Sequence, residues 1–123
     1  MPVLIHPQAV VAQDVTLGTG TVVMAGAVVN SDVKIGKGVI INTSSSVDHD
    51  NTINDYCHVS VGAHLAGNVK LGSRTWIGAG ATVSNNIRIC EDVMVGPGAV
   101  VVKNIDESGI YVGVPAKRID RKE

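Results

Sequence analysis

The chain contains no phenylalanine, one tryptophan and two tyrosines, so aromatic residues make up 2% of its 123 positions. That shortage is out of keeping with an ordinary compact globule. Charge of either sign is also in short supply: 10 Lys and Arg stand against 11 Asp and Glu, for a formal net charge of −1. No basic run precedes the tail "AKRIDRKE", which excludes a nucleic-acid footprint and argues against an anionic membrane as partner. The longest apolar run, "VVMAGAVV", is far shorter than a membrane span. The start, "MPVLIHP", lacks the charged and apolar regions of a signal peptide, and the expectation is a cytoplasmic protein. Cys57 and Cys90 stand alone without a CxxC, so neither a disulfide framework nor a zinc knuckle is signalled. The length suits one domain and is too short for two ordinary ones.

What the chain does have is 14 glycines and an abundance of Val, Ile and Ala, a composition that points to internal repeats. Stepping by six from Ile5 through Val11, Leu17 and Val23 as far as Val95 and Val101 meets Ile, Leu or Val every time, with no insertion or deletion. Four residues after each, a second series (Ala9, Val15, Thr21, Ala27 and onward to Asn51, Cys57 and Ile105) is nearly all small or β-branched. A large inward aliphatic, a smaller second one, and glycine after the first at 18, 36, 72, 78 and 96 make a hexad of one short strand and one turn.

The last position of each hexad, taken every third time, separates into columns. Thr16, Lys34, Thr52, Lys70, Arg88 and Asp106 are all polar, whereas Val22, Ile40, Trp76 and Met94 are apolar, interrupted only by His58. This segregation predicts three hexads per coil, a triangular prism with one wet edge and one edge that wants a partner. An exposed stripe holding Ile40, Trp76 and Met94 is a liability on a monomer, so a closed homotrimer is expected. The period covers residues 5 to 106. The expected division is therefore 1–106 for the prism and 107–123 for a tail that folds back as a cap. Both ends of such a prism are open sheet edges that need covering.

Three of the four histidines fall in "SSSVDHDNTINDYCHVSVGAHLAG". His49 and Asp50 are the third and fourth residues of their hexad, at a corner where side chains project outward. One coil on, at the strand spacing of about 4.8 Å, is Gly67, which has no side chain to block access. A reacting carbonyl could lie between the imidazole and a backbone N–H, the arrangement acyl transfer needs. Asp50 could fix the tautomer of His49; alternatively, Asp14, Asp32, Asp50, Asn68, Asn86 and Asn104 form a column of turn formers bonded to their own backbone. His58 faces the expected subunit groove, as a ligand contact or as a satisfied interface residue. His64 and His6 are expected to be solvated or packed. Cys57 is at an inward position and cannot present itself as a nucleophile.

The hexads resemble those of left-handed parallel β-helices, and the handedness expected here rests on that resemblance. The segment "VDHDNTINDYCHVSVGAHLAGNVKLG" and the ending "GIYVGVPAKRI" resemble more narrowly the catalytic half of bacterial sugar acyltransferases. These include the sialic acid O-acetyltransferases and the N-acetyltransferases acting on UDP-linked 4-amino sugars. The resemblance implies an all-β fold and transfer from acetyl-CoA to an amine or hydroxyl of a sugar or nucleotide sugar, with no metal and no acyl-enzyme. It implies that His49 is the general base, that Asp50 orients it, and that Gly67 offers its N–H to the thioester carbonyl. It also implies that His58 lines the acetyl-CoA site. The pantetheine arm would pass His58 and Trp76, with Val112, Gly113, Pro115 and Lys117 near the adenine end. Family members usually carry an N-terminal domain for the acceptor.

Two other readings compete. One is a non-catalytic trimerising prism. The other is a zinc enzyme similar to the γ-class carbonic anhydrases, against which stand the lack of that family's two histidines five apart and the scatter of His49, His58 and His64 over different edges.

Overall fold

The computed structural model describes residues 1–119, and every regular element among them is a strand. No helix of the described residues is long and apolar enough to cross a membrane. Most hexads fold as a two-residue strand whose second side chain points inward, followed by a two-residue turn whose second residue, from Gly20 to Gly98, takes a left-handed conformation. Asp32, Ser44, Asp50, Asn68 and Asn86 do so with φ between 57° and 62°. Glycine and short polar side chains tolerate that region, which is why Asp, Asn and Gly predominate there, although Tyr56 and Arg74 also adopt it.

Three such hexads close one coil, and the strands stack into three parallel sheets. The first sheet runs through Leu4–Ile5, Val22–Val23, Ile40–Ile41, His58–Val59, Trp76–Ile77 and Val93–Val95, then Gly109–Val112 and Lys117–Arg118. The second runs from Val10–Val11 through Ser46–Val47 and His64–Leu65 to Val100–Val101. The third runs from Thr16–Leu17 through Thr52–Ile53 and Lys70–Leu71 to Arg88–Ile89. Pairing of Leu4 with Val22, His58 with Trp76 and Lys70 with Arg88 sets the repeat at 18 residues.

The core is the interior of the prism. Ile41, Ile53, Leu65, Leu71 and Ile77 are buried to within 1% exposure, each contributing about 1.5–3 kcal/mol of hydrophobic stabilisation. At Gly78 the coils pack so closely that a side chain is excluded: a Cβ there would stand 2.6 Å from the carbonyl oxygen of Val95. Small inward polar residues tie successive coils together. Thr21 Oγ1 donates to the carbonyl of Gly36, Thr75 Oγ1 to that of Cys90, both at 2.8 Å, and Cys57 Sγ to that of Gly72 at 3.0 Å.

The 18-residue register holds as far as the pairing of Val83 with Val101. Beyond that point the expected columns are corrected: Ile89 pairs with Ile105, and Met94 with Ile110. The last coil is two residues shorter, so Asn104 and Asp106 leave the turn and polar columns in which the period had put them. Asn104 Oδ1 instead accepts from the Arg88 amide at 2.8 Å. The segment after it joins the prism directly. Gly109–Val112 extends the first sheet in parallel and Lys117–Arg118 returns antiparallel to it. Gly113 and Ala116 bond the free edge of Val100 at 3.1 and 2.8 Å, so this turn covers the end of the second sheet.

Candidate active site

The corner between the second and third sheets carries His49. Its turn is bonded to the turns of the neighbouring coils, Asp50 N–H to the Ser31 carbonyl at 3.2 Å and Asn68 N–H to the His49 carbonyl at 2.9 Å. Asp48 Oδ1 accepts from the His49 amide at 2.8 Å and holds the turn's first bend. The imidazole lies against the next coil at Gly67: a Cβ there would be 2.7 Å from both His49 Cε1 and Nε2. Among the described residues the Gly67 N–H donates to no protein acceptor. An imidazole and a free backbone donor therefore stand side by side at one corner.

His49 Nδ1 bonds Asp50 Oδ2 at 2.9 Å, and Asp50 takes the left-handed φ of 60° at its turn, with its carboxylate on the imidazole and not on its own backbone. That hydrogen bond raises the His49 pKa above its ordinary value, with the nearby charges of Asp48, Asp50 and Asp32 adding to it and desolvation opposing it. With Nδ1 bonded to carboxylate, Nε2 is left to accept a proton from a substrate. Beside Asp50 a groove of about 580 Å³ runs along the third sheet, lined by Asp14, Thr16, Asp32, Lys34, Asp50 and Lys70 among others. Within it the Asp14 carboxylate, first among several causes, raises the pKa of Asp32.

His58 is elsewhere. It projects outward from the first sheet, the face opposite the His49 corner, between Ile40 and Trp76. Its ring sits 4.5 Å from that of Trp76, centroid to centroid, tilted by 42°. Asn42 Nδ2 donates to His58 Nε2 at 3.1 Å, which puts the ring hydrogen of the neutral form on Nδ1. Burial lowers the His58 pKa, in keeping with a neutral ring. Trp76 Nε1 donates to Ser60 Oγ at 2.8 Å. Ile40, Trp76 and Met94 along this face are 37%, 45% and 43% exposed. Val112, Gly113, Pro115 and Lys117 lie at the far end of the same sheet, in the turn that covers Val100.

The structure thus brings His49, Asp50 and Gly67 together, and separately His58 with Trp76. It does not bring the two groups together within one prism. His64 projects from the second sheet, where its Nδ1 bonds Ser46 Oγ at 2.7 Å, so the three histidines of the cluster lie on a corner and two different faces. Among the described residues no group of three or more His, Cys, Asp or Glu is arranged to hold a metal ion. Cys57 is buried and its thiol pKa is pushed up to about 11 by desolvation. Asn42, Ser60 and Asn51 are contributors that the repeat pattern did not single out. Asn42 and Ser60 are ordinary polar residues in sequence, and only the stacking of coils shows what they hold.

The family model for the bacterial transferase hexapeptide (six repeats) matches residues 68–103. No curated protein matches the chain. Solved structures do. The acetyltransferase domain of PglB from Neisseria gonorrhoeae FA1090 is 42% identical with a TM-score of 0.95, over 96% of this chain and 58% of that one. PerB from Caulobacter crescentus, in complex with CoA and GDP-perosamine, is 44% identical with a TM-score of 0.94, over 96% of this chain and 57% of that one. WeeI from Acinetobacter baumannii AYE is 31% identical with a TM-score of 0.88, over 92% and 56%. The chain spans a little over half the length of each.

Proposed function

We propose that this chain, which belongs to the bacterial hexapeptide-repeat sugar acetyltransferases and corresponds to their β-helical acetyltransferase domain, moves an acetyl group from acetyl-CoA to an amine or hydroxyl of a sugar or nucleotide sugar. The observation that carries the reading is the imidazole of His49 lying against bare Gly67, whose N–H points at no protein acceptor. The acceptor's nitrogen or oxygen attacks the thioester carbonyl carbon while His49 Nε2 takes its proton. The Gly67 N–H supports the negative charge on the carbonyl oxygen, and Asp50 stabilises the imidazolium. Collapse of the tetrahedral intermediate breaks the C–S bond, and the CoA thiolate recovers the proton from His49. The buried thiol of Cys57 takes no part, and no step calls for a metal ion. The groove beside Asp50, with carboxylates and amines along its walls, supplies hydrogen-bonding partners for a sugar.

Acetyl-CoA would lie against the first sheet, past His58 and Trp76 towards the turn at Val112, Gly113, Pro115 and Lys117. Because that face is opposite the His49 corner, one prism cannot hold the thioester between them. A neighbouring copy can, and the exposed stripe of Ile40, Trp76 and Met94 is the surface that would meet it. The assembly we infer is a closed trimer in which each site takes His49 from one copy and His58 from the next. Two unpaired cysteines fit a reducing cytoplasm.

Calorimetry with acetyl-CoA and release of CoA thiol in the presence of nucleotide-linked amino sugars test this reading. Binding weakened by His58→Ala, and turnover abolished by His49→Ala with binding kept, are the expected results. A folded protein that takes up no acetyl-CoA overturns it.

A further inference from the structure

Asn51 is the one polar residue among the inward positions that follow this corner. Its counterparts in other coils are Val15, Val33, Val69 and Ile87. It is 0% exposed, and such a side chain is costly to bury unless its hydrogen bonds repay the desolvation. Its Nδ2 donates to the carbonyl of Asp48 at 2.8 Å and to that of Ala66 at 2.9 Å, with a longer contact to that of His49 at 3.3 Å. Its Oδ1 is buried without a partner. The carbonyls of Asp48 and His49 belong to the turn that presents the imidazole. The carbonyl of Ala66 belongs to the same peptide group as the N–H of Gly67.

We propose that Asn51 is a positioning residue for acetyl transfer, whose amide fixes the His49 turn against the Ala66–Gly67 peptide and polarises that peptide so that its N–H is a stronger donor. This rests on the reading of Gly67 as the donor to the thioester oxygen. A hydrogen bond accepted by a peptide carbonyl draws electron density from the nitrogen and strengthens the bond its N–H makes on the other side. It also fixes the plane of the peptide, so the N–H direction is set before substrate arrives. Burial of a half-satisfied amide where every other coil has an aliphatic is what the arrangement costs.

Two substitutions separate this role from plain packing. Asn51→Val restores the residue type of neighbouring coils and removes the donor. Asn51→Thr keeps a donor for the carbonyl of Ala66, since Thr21 and Thr75 reach the equivalent carbonyls of the following coil at 2.8 Å. With acetyl-CoA and GDP-perosamine as probes, Asn51→Val is expected to lower kcat by roughly tenfold to a hundredfold with little change in KM for acetyl-CoA. Asn51→Thr is expected to recover most of the loss. In the ¹⁵N–¹H spectrum the Gly67 amide proton should move upfield in Asn51→Val and return in Asn51→Thr, a change that loss of packing alone does not order in this way. A folded Asn51→Val protein with wild-type kcat and an unmoved Gly67 amide overturns the proposal while leaving the transferase reading intact. Equal losses in both variants also overturn it, because the bond to Ala66 then carries nothing. Wild-type protein that binds no acetyl-CoA overturns the transferase reading and this proposal with it.

Discussion

The Asp50 carboxylate, 2.9 Å from His49 Nδ1, holds the imidazole's pKa above its ordinary value of about 6.5. A base must be unprotonated to work, so the rate should climb with pH through a value above that of free histidine. In Asp50→Asn the hydrogen bond to a charge is lost and the pKa falls. The acid limb of the rate profile then moves to lower pH while the plateau drops, because the imidazolium loses its stabilising partner. Initial rates from pH 5.5 to 9 check this; an unmoved limb would mean that another group governs it. The same shift has a stability sign. The pair stabilises the fold below the unfolded pKa, and that contribution fades as pH rises through the folded one, so catalysis and the ion pair occupy different pH ranges. Gly67→Ala probes the other half of the corner. The backbone there is not left-handed, so alanine itself is tolerated, but its Cβ would displace the imidazole from 2.7 Å away. Turnover should fall by roughly a hundredfold or more, the scale of losing a positioned general base, with a melting temperature close to wild type. Cys57 offers a control: with its thiol pKa near 11, no acetyl adduct should form on it, which intact-protein mass spectrometry after incubation with acetyl-CoA would detect.

At the scale of strands and turns, the hexad was legible because nearly all the strands are two residues long and most turns take one left-handed residue. The aliphatic step from Ile5 to Val101 and the run of Asp, Asn and Gly at the corners therefore encode the coil almost residue by residue. His49 above Gly67 was legible for the same reason, since a fixed period converts sequence distance into height along the prism. The shortened last coil was not. Ile105 satisfies the six-residue step and still pairs with Ile89, because an aliphatic in either register fills the core and the pattern cannot show a two-residue slip. Asn51 also escaped notice, since the six-residue step that contains it mixes small, polar and aliphatic residues from all three corners, and only the stacked coils reveal which carbonyls its amide reaches. Asn42 belongs to this scale too, as a residue of one coil that sets the tautomer of His58 in the next. Asn42→Ala frees His58 Nε2, lets both neutral tautomers populate, and should weaken acetyl-CoA binding several-fold in calorimetry without moving the acid limb set by His49. A shift of that limb would tie His58 to the base chemistry instead.

For the molecule as a whole, the decisive fact is that His49 stands at one corner and His58 on the opposite face. Two copies must contribute to any site that uses both. On the proposed reading the trimer would be a requirement of the chemistry and not only a cover for Ile40, Trp76 and Met94. Replacing Trp76 and Met94 together by aspartate should leave folded monomers in sedimentation, since both side chains point away from the core, and these monomers should not turn over. A sharper check uses two damaged proteins. His49→Ala trimers lack the base, and His58→Ala trimers bind acetyl-CoA poorly, so at low acetyl-CoA each alone is nearly inactive. In mixed trimers a site is intact wherever a subunit that keeps His49 is followed by one that keeps His58. For equal mixing in a closed ring this holds for about a quarter of the sites. Co-expression of the two variants should therefore restore about a quarter of wild-type turnover, whereas a site contained within one prism would stay dead in every combination.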